Sequence, residues 1–355
     1  MPALSLHPTE DACAYDALVA QLPLSSALQG WGFGEARREL GQLPYRFLLQ
    51  RGQQVVGALQ LLRKPLPLGA SLLYAPRGPA LRDPADLPDL LPALREWASP
   101  RDLSIKIEPP RPVPEGGPIP PAYGPWKRSS SEQPEHTIAV DLERSEEELL
   151  ARLHPMVRRN LKVAARCGVE VSRESDEGSF EEFFALFEQT NLRSKLGQFP
   201  RAYYQTLWDS FGGRGGEAYL VMARHEGRAL AGGFFLGMGQ GSYYLYGGSL
   251  REPKAEGEGG RKDVKAPTAF YWQAMLDARR RGYRLFDFWG IPRVLDPQSH
   301  SYGVYRMKEN FGGDRLWYPA YDARLSALAA PTYLALRLRK NALNYRQRGT
   351  VRDIL

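Results

Sequence analysis

At 355 residues, with 43% hydrophobic and 25% charged residues, the chain has ample material for two globular domains. Only two cysteines (Cys13 and Cys167) and five histidines without metal-ligand spacing argue against a disulfide framework or a structural metal. A net charge of +7 points to an anionic partner and leaves nucleic acid, anionic lipid and phosphorylated metabolites open. The first residues, with Glu10 and Asp11 and no basic stretch before an apolar one, lead us to expect a cytoplasmic protein without a secretory leader.

In chain order, Tyr45 to Gly57 reads as strand, turn and strand, and Ala70 to Gly78 as a third strand. An amphipathic helix over Leu87–Ala98 and a strand over Leu103–Pro109 follow. The Pro- and Gly-rich stretch Pro109–Pro125 reads as a connection, and His136–Asp141 as a strand. Ser145 with Glu148 forms a capping-box pattern, and Pro155 opens the next helix. Helices over Phe180–Arg193 and Pro200–Phe211 precede a second strand-turn-strand, Tyr219 to Gly232, with a third strand from Ser242. The polar stretch Arg251–Pro267 reads as a loop, and then come a helix over Ala269–Arg281 and a strand over Arg284–Pro292.

The order therefore repeats, with turn glycines Gly52 and Gly227 each followed five residues later by a strand glycine, Gly57 and Gly232. We expect an α/β (α+β) chain of two units, 1–135 and 136–355, with part of the C-terminal segment packed on the first. The repeated order resembles the GCN5-related N-acetyltransferase fold. That family grips its carrier with an Arg/Gln-x-x-Gly-x-Gly/Ala loop before a helix. The literal match at Arg224–Ala229 lies in a hairpin, so acetyl-CoA use is not expected.

Five segments carry a more specific resemblance. They are Leu28–Arg37 with its Gln29 and Trp31, Tyr74–Pro79 with Arg77-Gly78-Pro79, Arg158–Val169, Phe286–Ile291, and Met307–Gly313. Together they resemble the Fem family of peptidoglycan bridge-forming aminoacyltransferases. No segment is long enough for the coiled-coil arm of some members, so the chain is similar to the compact FemX type. Met307 stands where the family has an aromatic residue.

The resemblance implies attack by a peptide amine on the ester of an aminoacyl-tRNA. The tRNA serves as co-substrate with no further cofactor and no metal. The acceptor would be a UDP-linked or lipid-linked muramyl peptide. A monomer is expected, and transfer to a protein or lipid, or a non-catalytic tRNA- or membrane-binding module, are the alternatives. The resemblance puts Lys308 beside the reacting carbonyl, where an ammonium would stabilise an oxyanion or a phosphate. It puts Arg37 on the acceptor's diphosphate, completed by Arg201, Tyr204 and Tyr246, with Arg193 the competitor of Arg201. Met307, Arg158, Arg159 and Lys162 are the expected tRNA contacts. Asp287 and Arg77 read as anchoring residues, with a general-base role for Asp287 as the minor alternative. The segment Arg337–Arg352 has six basic residues and no acidic one, which reads as a contact for tRNA phosphates, and its leucines add peripheral membrane contact as a second reading.

Overall fold

The computed structural model describes residues 2–118, 123–194, 197–212, 215–250, 263–299 and 301–348. The loop read over Arg251–Pro267 falls largely outside these residues, as does Arg352.

The first unit opens with β1 (Leu4–Pro8), α1 (Ala12–Gln21) and α2 (Trp31–Arg38). Strands β2 (Leu43–Arg51), β3 (Gln54–Pro65), β4 (Ser71–Ala75) and β5 (Ala80–Leu81) precede α3 (Leu87–Trp97) and β6 (Asp102–Ile107). The connection carries β7 (Val113–Pro114) and β8 (Lys127–Ser129), and β9 (His136–Asp141) opens the second unit. Helices α4 (Glu146–Arg152) and α5 (Pro155–Arg166), β10 (Glu170–Glu174), α6 (Glu177–Ser194) and α7 (Arg201–Ser210) follow. Then come β11 (Gly216–His225), β12 (Arg228–Met238), β13 (Gly241–Ser249), α8 (Ala266–Arg280) and β14 (Leu285–Ile291). The chain closes with α9 (Tyr302–Glu309), β15 (Asp314–Trp317), β16 (Ala320–Arg324) and α10 (Ala329–Arg348).

The duplication is visible in the pairing. In the first sheet β1, β2, β3 and β4 are successively antiparallel and β4 is parallel to β6. In the second, β10, β11, β12 and β13 repeat that run and β13 is parallel to β14. The hairpin glycines Gly52 and Gly227 both have positive φ, 63° and 75°, as a tight turn between strands demands. Arg224–Ala229 is the β11–β12 hairpin, and no helix follows it.

Each sheet is completed from afar. On the side of β6 lies β16, antiparallel, then β8; on the side of β14 lie β9, β15 and β7. Strand β7 of the connection thus belongs to the second sheet, whereas β16 belongs to the first and α10 packs on it through Ala329, Tyr333 and Leu336. The boundary read at residue 136 divides the sequence but not the sheets.

Between the units lies one continuous apolar core. Tyr15, Phe33 and Tyr74 of the first unit pack in the same cluster as Phe180, Tyr203 and Phe234 of the second.

Candidate active site

Two interlocking segments place the first element of the site. Gln29, fully buried, receives the backbone N–H of Gln60 at 2.8 Å and donates to the carbonyl of Pro76 at 2.8 Å. That latch fixes the turn after β4, where Arg77 sits at φ 42°. A Cβ on Gly78 would lie 2.2 Å from the Gln29 side chain, so the turn closes only around glycine. Arg77 is 2% exposed; its guanidinium lies 3.7 Å from the Tyr318 ring centroid and 5.4 Å from that of Trp289. Nη2 donates to the Pro134 carbonyl at 2.6 Å, while Nη1 has no hydrogen-bond partner.

The second element is a bulge in β14. Strands β13 and β14 pair only from Gly241↔Leu285 to Tyr243↔Asp287, and a register irregularity against β9 follows between Asp287 and Gly290. Trp289 takes φ 63° there, a conformation costly for a bulky residue and held only where the surroundings impose it. They do. Asp287 Oδ1 accepts the Trp289 N–H at 2.7 Å and also the Thr137 hydroxyl, which reaches the Trp289 carbonyl at 2.9 Å.

Lys308 supplies the third element. From α9 its ammonium donates to the Gly290 carbonyl at 2.7 Å and the Trp289 carbonyl at 3.2 Å. Its placement depends on the residues after it. Phe311 is buried against Phe288 and Tyr271, and a Cβ on Gly313 would meet the Ala139 carbonyl at 2.7 Å, so α9 is pinned to β9 and β14.

The electrostatics follow from burial. Lys308 is 6% exposed, and desolvation pulls its pKa down to about 7 against the upward pull of Asp287. Desolvation raises the Asp287 carboxyl, opposed by the Thr137 hydrogen bond and by the charges of Arg77 and Lys308. Asp287 Oδ2, like Arg77 Nη1, has no hydrogen-bond partner. Two orphaned, oppositely charged atoms are thus held in the wall between the units. Beside Arg77 opens a cavity of about 210 Å³ that it lines with Tyr243, Tyr318, Ser26 and Gln240; Asp287 and Lys308 do not line it. Among the described residues no group of three or more His, Cys, Asp and Glu side chains is placed to hold a metal.

A second cluster gathers where α2 meets α7. The Arg37 guanidinium lies 5.5 Å from the Phe33 ring centroid and 5.9 Å from that of Phe199, and its Nε is buried without a partner. Tyr203 and Tyr246 join hydroxyls at 3.1 Å, and the Tyr204 ring lies edge-on to Tyr246 at 4.9 Å. The charge of Arg37 pulls down Tyr203 and Tyr246, both raised by burial. The structure therefore brings Arg37, Tyr204 and Tyr246 together. Arg201 is instead half exposed, ion-paired with Glu181 and stacked on Phe184. Its competitor Arg193 donates to the Ser249 carbonyl at 3.0 Å.

The expected tRNA contacts divide as well. Arg158 donates at 2.8 and 2.9 Å to the carbonyls of Leu153 and Ala151, closing the C-terminal end of α4, which is a structural task. Arg159 and Lys162 are exposed on α5, and Met307 is half-buried against the second-unit core. Sequence reasoning missed Tyr203, Phe199, Thr137 and Tyr318. Tyr203 had a signal, being adjacent to Tyr204 on the same predicted helix; Tyr318 and Thr137 had none.

The FemAB family profile matches residues 124–226 and 220–315, more than half of the chain. The chain belongs to the FemAB family. A lipid II:glycine glycyltransferase of Staphylococcus haemolyticus (strain JCSC1435) is 23% identical over 84% of this chain and 87% of its own length. A crystal structure of FemX superposes with a TM-score of 0.77 at 21% identity, covering 92% of this chain and 98% of that one. The structure of L-PGS from Bacillus licheniformis shares the fold at a TM-score of 0.54 and 14% identity, over 94% and 98% of the two chains. This FemAB protein is accordingly an aminoacyltransferase built on two units that repeat one strand order. No described segment forms a coiled-coil arm.

Proposed function

We propose that the chain transfers an amino acid from aminoacyl-tRNA to an amine on the peptide stem of a peptidoglycan precursor. The observation that carries this reading is the buried Lys308, poised near pH 7 beside Asp287 where β13 and β14 part. An ester of tRNA is already activated, so attack by an amine needs positioning, proton removal and charge stabilisation, not an enzyme nucleophile. The amine nitrogen forms the new bond to the carbonyl carbon, and the ester oxygen leaves as the ribose hydroxyl. Neutral Lys308 takes the proton the amine sheds, and the ammonium so formed stabilises the tetrahedral oxyanion and passes that proton to the leaving ribose oxygen. Asp287 keeps that lysine protonatable, and Arg77 holds the opposite wall.

Arg37, with Tyr204 and Tyr246, would receive the diphosphate shared by nucleotide-linked and lipid-linked precursors. The glycyltransferase relatives, named for lipid II, support the lipid-linked form. The test incubates the protein with radiolabelled aminoacyl-tRNA and either UDP-muramyl pentapeptide or lipid II. Label moving to either acceptor supports the reading and names the acceptor. Bound tRNA with no transfer to either would overturn it.

A further inference from the structure

The C-terminal helix α10 has two apolar faces, and the fold uses one. Ala329 is fully buried, Leu336 packs on Leu72 and Leu103, and the Tyr333 hydroxyl meets that of Ser104 at 2.7 Å. Leu334, Leu338 and Tyr345, spaced four and seven residues apart, share a different stripe and are 51%, 58% and 66% exposed. Arg337 flanks that stripe on one side, Arg339 and Arg346 on the other, and the helix from Ala329 to Arg348 contains no acidic residue.

A second segment extends the same corner. Leu68, fully exposed, tips the turn between β3 and β4, whose flanks Leu66 and Ala70 pack against the cluster that seats α10; Leu328, just before the helix, is also exposed. An apolar stripe bordered by arginines, joined by a protruding leucine from another segment, is costly in water and matches an anionic lipid surface. Arginine side chains can lie along the stripe with their heads at the phosphates. The groove of about 780 Å³ beside the helix is lined by Lys64, Lys106, Arg324 and Arg337 together with Glu132 and Asp322. No described helix is long and apolar enough to cross a bilayer, which makes the contact superficial.

We infer that α10 and the Leu68 turn form a docking surface for an anionic bilayer, on which the protein lies peripherally. Binding requires neither donor nor acceptor, so it is read independently of the transfer reaction. The full chain is sedimented with vesicles of phosphatidylglycerol and phosphatidylethanolamine, and with vesicles of phosphatidylcholine alone. Wild type should partition to the anionic vesicles only. Leu334→Ser with Leu338→Ser, both exposed, should lower partition by about tenfold or more without moving the thermal midpoint. Arg339→Glu with Arg346→Glu should remove the preference for anionic lipid. The inference is overturned if wild type does not partition, or if the serine pair partitions as wild type does. It also fails if the stripe proves to be a dimer contact broken by the serine pair, or if the serine pair loses tRNA binding and keeps vesicle binding.

Discussion

Replacing Lys308 with methionine conserves most of the side-chain volume and deletes a buried charge, so it separates chemistry from folding. In the folded protein the ammonium titrates near 7, while in the unfolded chain it titrates near the ordinary 10.5. Because the folded value is depressed, the unfolded chain holds more protons between these two pH values, and wild-type stability rises with pH across that window. Each pH unit in the window is worth about 1.4 kcal/mol, and allowing for half-protonation near pH 7 leaves a gain of about 2 kcal/mol between pH 7 and 9. The methionine variant has no such gain, and Asp287, common to both proteins, drops out of the difference to first order. Against this, the Gly290 carbonyl loses its ammonium donor, whereas the Trp289 carbonyl retains Thr137. A bond of that kind is worth about 1 to 3 kcal/mol, which sets the offset between the two proteins but not its pH dependence. Denaturant titrations of wild type and Lys308→Met at pH 7, 8 and 9 give the measurement. A stability difference that stays flat over this range refutes the assignment of a depressed, buried lysine. At pH 7 the variant should remain folded and lose transfer by on the order of 10²-fold or more.

Asp287→Asn removes the charge that holds the Lys308 pKa up, so the pH–rate limb belonging to Lys308 should move to more acid values. A limb that does not move assigns the titration to another group. Arg37→Lys replaces a planar fork stacked between Phe33 and Phe199 with a point charge; acceptor KM should rise about tenfold with kcat nearly unchanged. A fall confined to kcat would place Arg37 in the chemistry instead.

The tandem architecture was legible because its markers are local. Hairpin glycines at Gly52 and Gly227, apolar periodicity and the Ser145 capping box all act within a few residues, and α4 starts where that box puts it. Strands β1 and β10 escaped because they are short, half-exposed edge strands: β1 alternates over only Leu4 and Leu6, and β10 has a single apolar residue, Val171. Lys308 could be selected by resemblance, but its burial depends on a bulge in β14 that periodicity does not encode. Arg77 was read as a brace; it does touch Tyr318, Trp289 and Pro134, yet its partnerless Nη1 beside a cavity is a product of long-range assembly. Arg201 illustrates the reverse case. Its place one helical turn before Gln205 says nothing about the nearby acidic Glu181, which takes it.

The strand order has a consequence for how substrates could enter. The chain steps from the first sheet to the second at β7, back at β8, across again at β9 and back once more at β16. Laced in this way and sharing one apolar core, the halves could swing apart as two covers on a spine only by bending every crossing and opening that core. Neither half is a self-sufficient piece, since cutting at residue 136 would strip β16 from β6 and leave that strand's flank unpaired, a template for aggregation. Access to a wall built from Arg77 on one side and Asp287 on the other must then come from local rearrangement of loops and side chains, with the spacing between the two sheets serving as a fixed gauge.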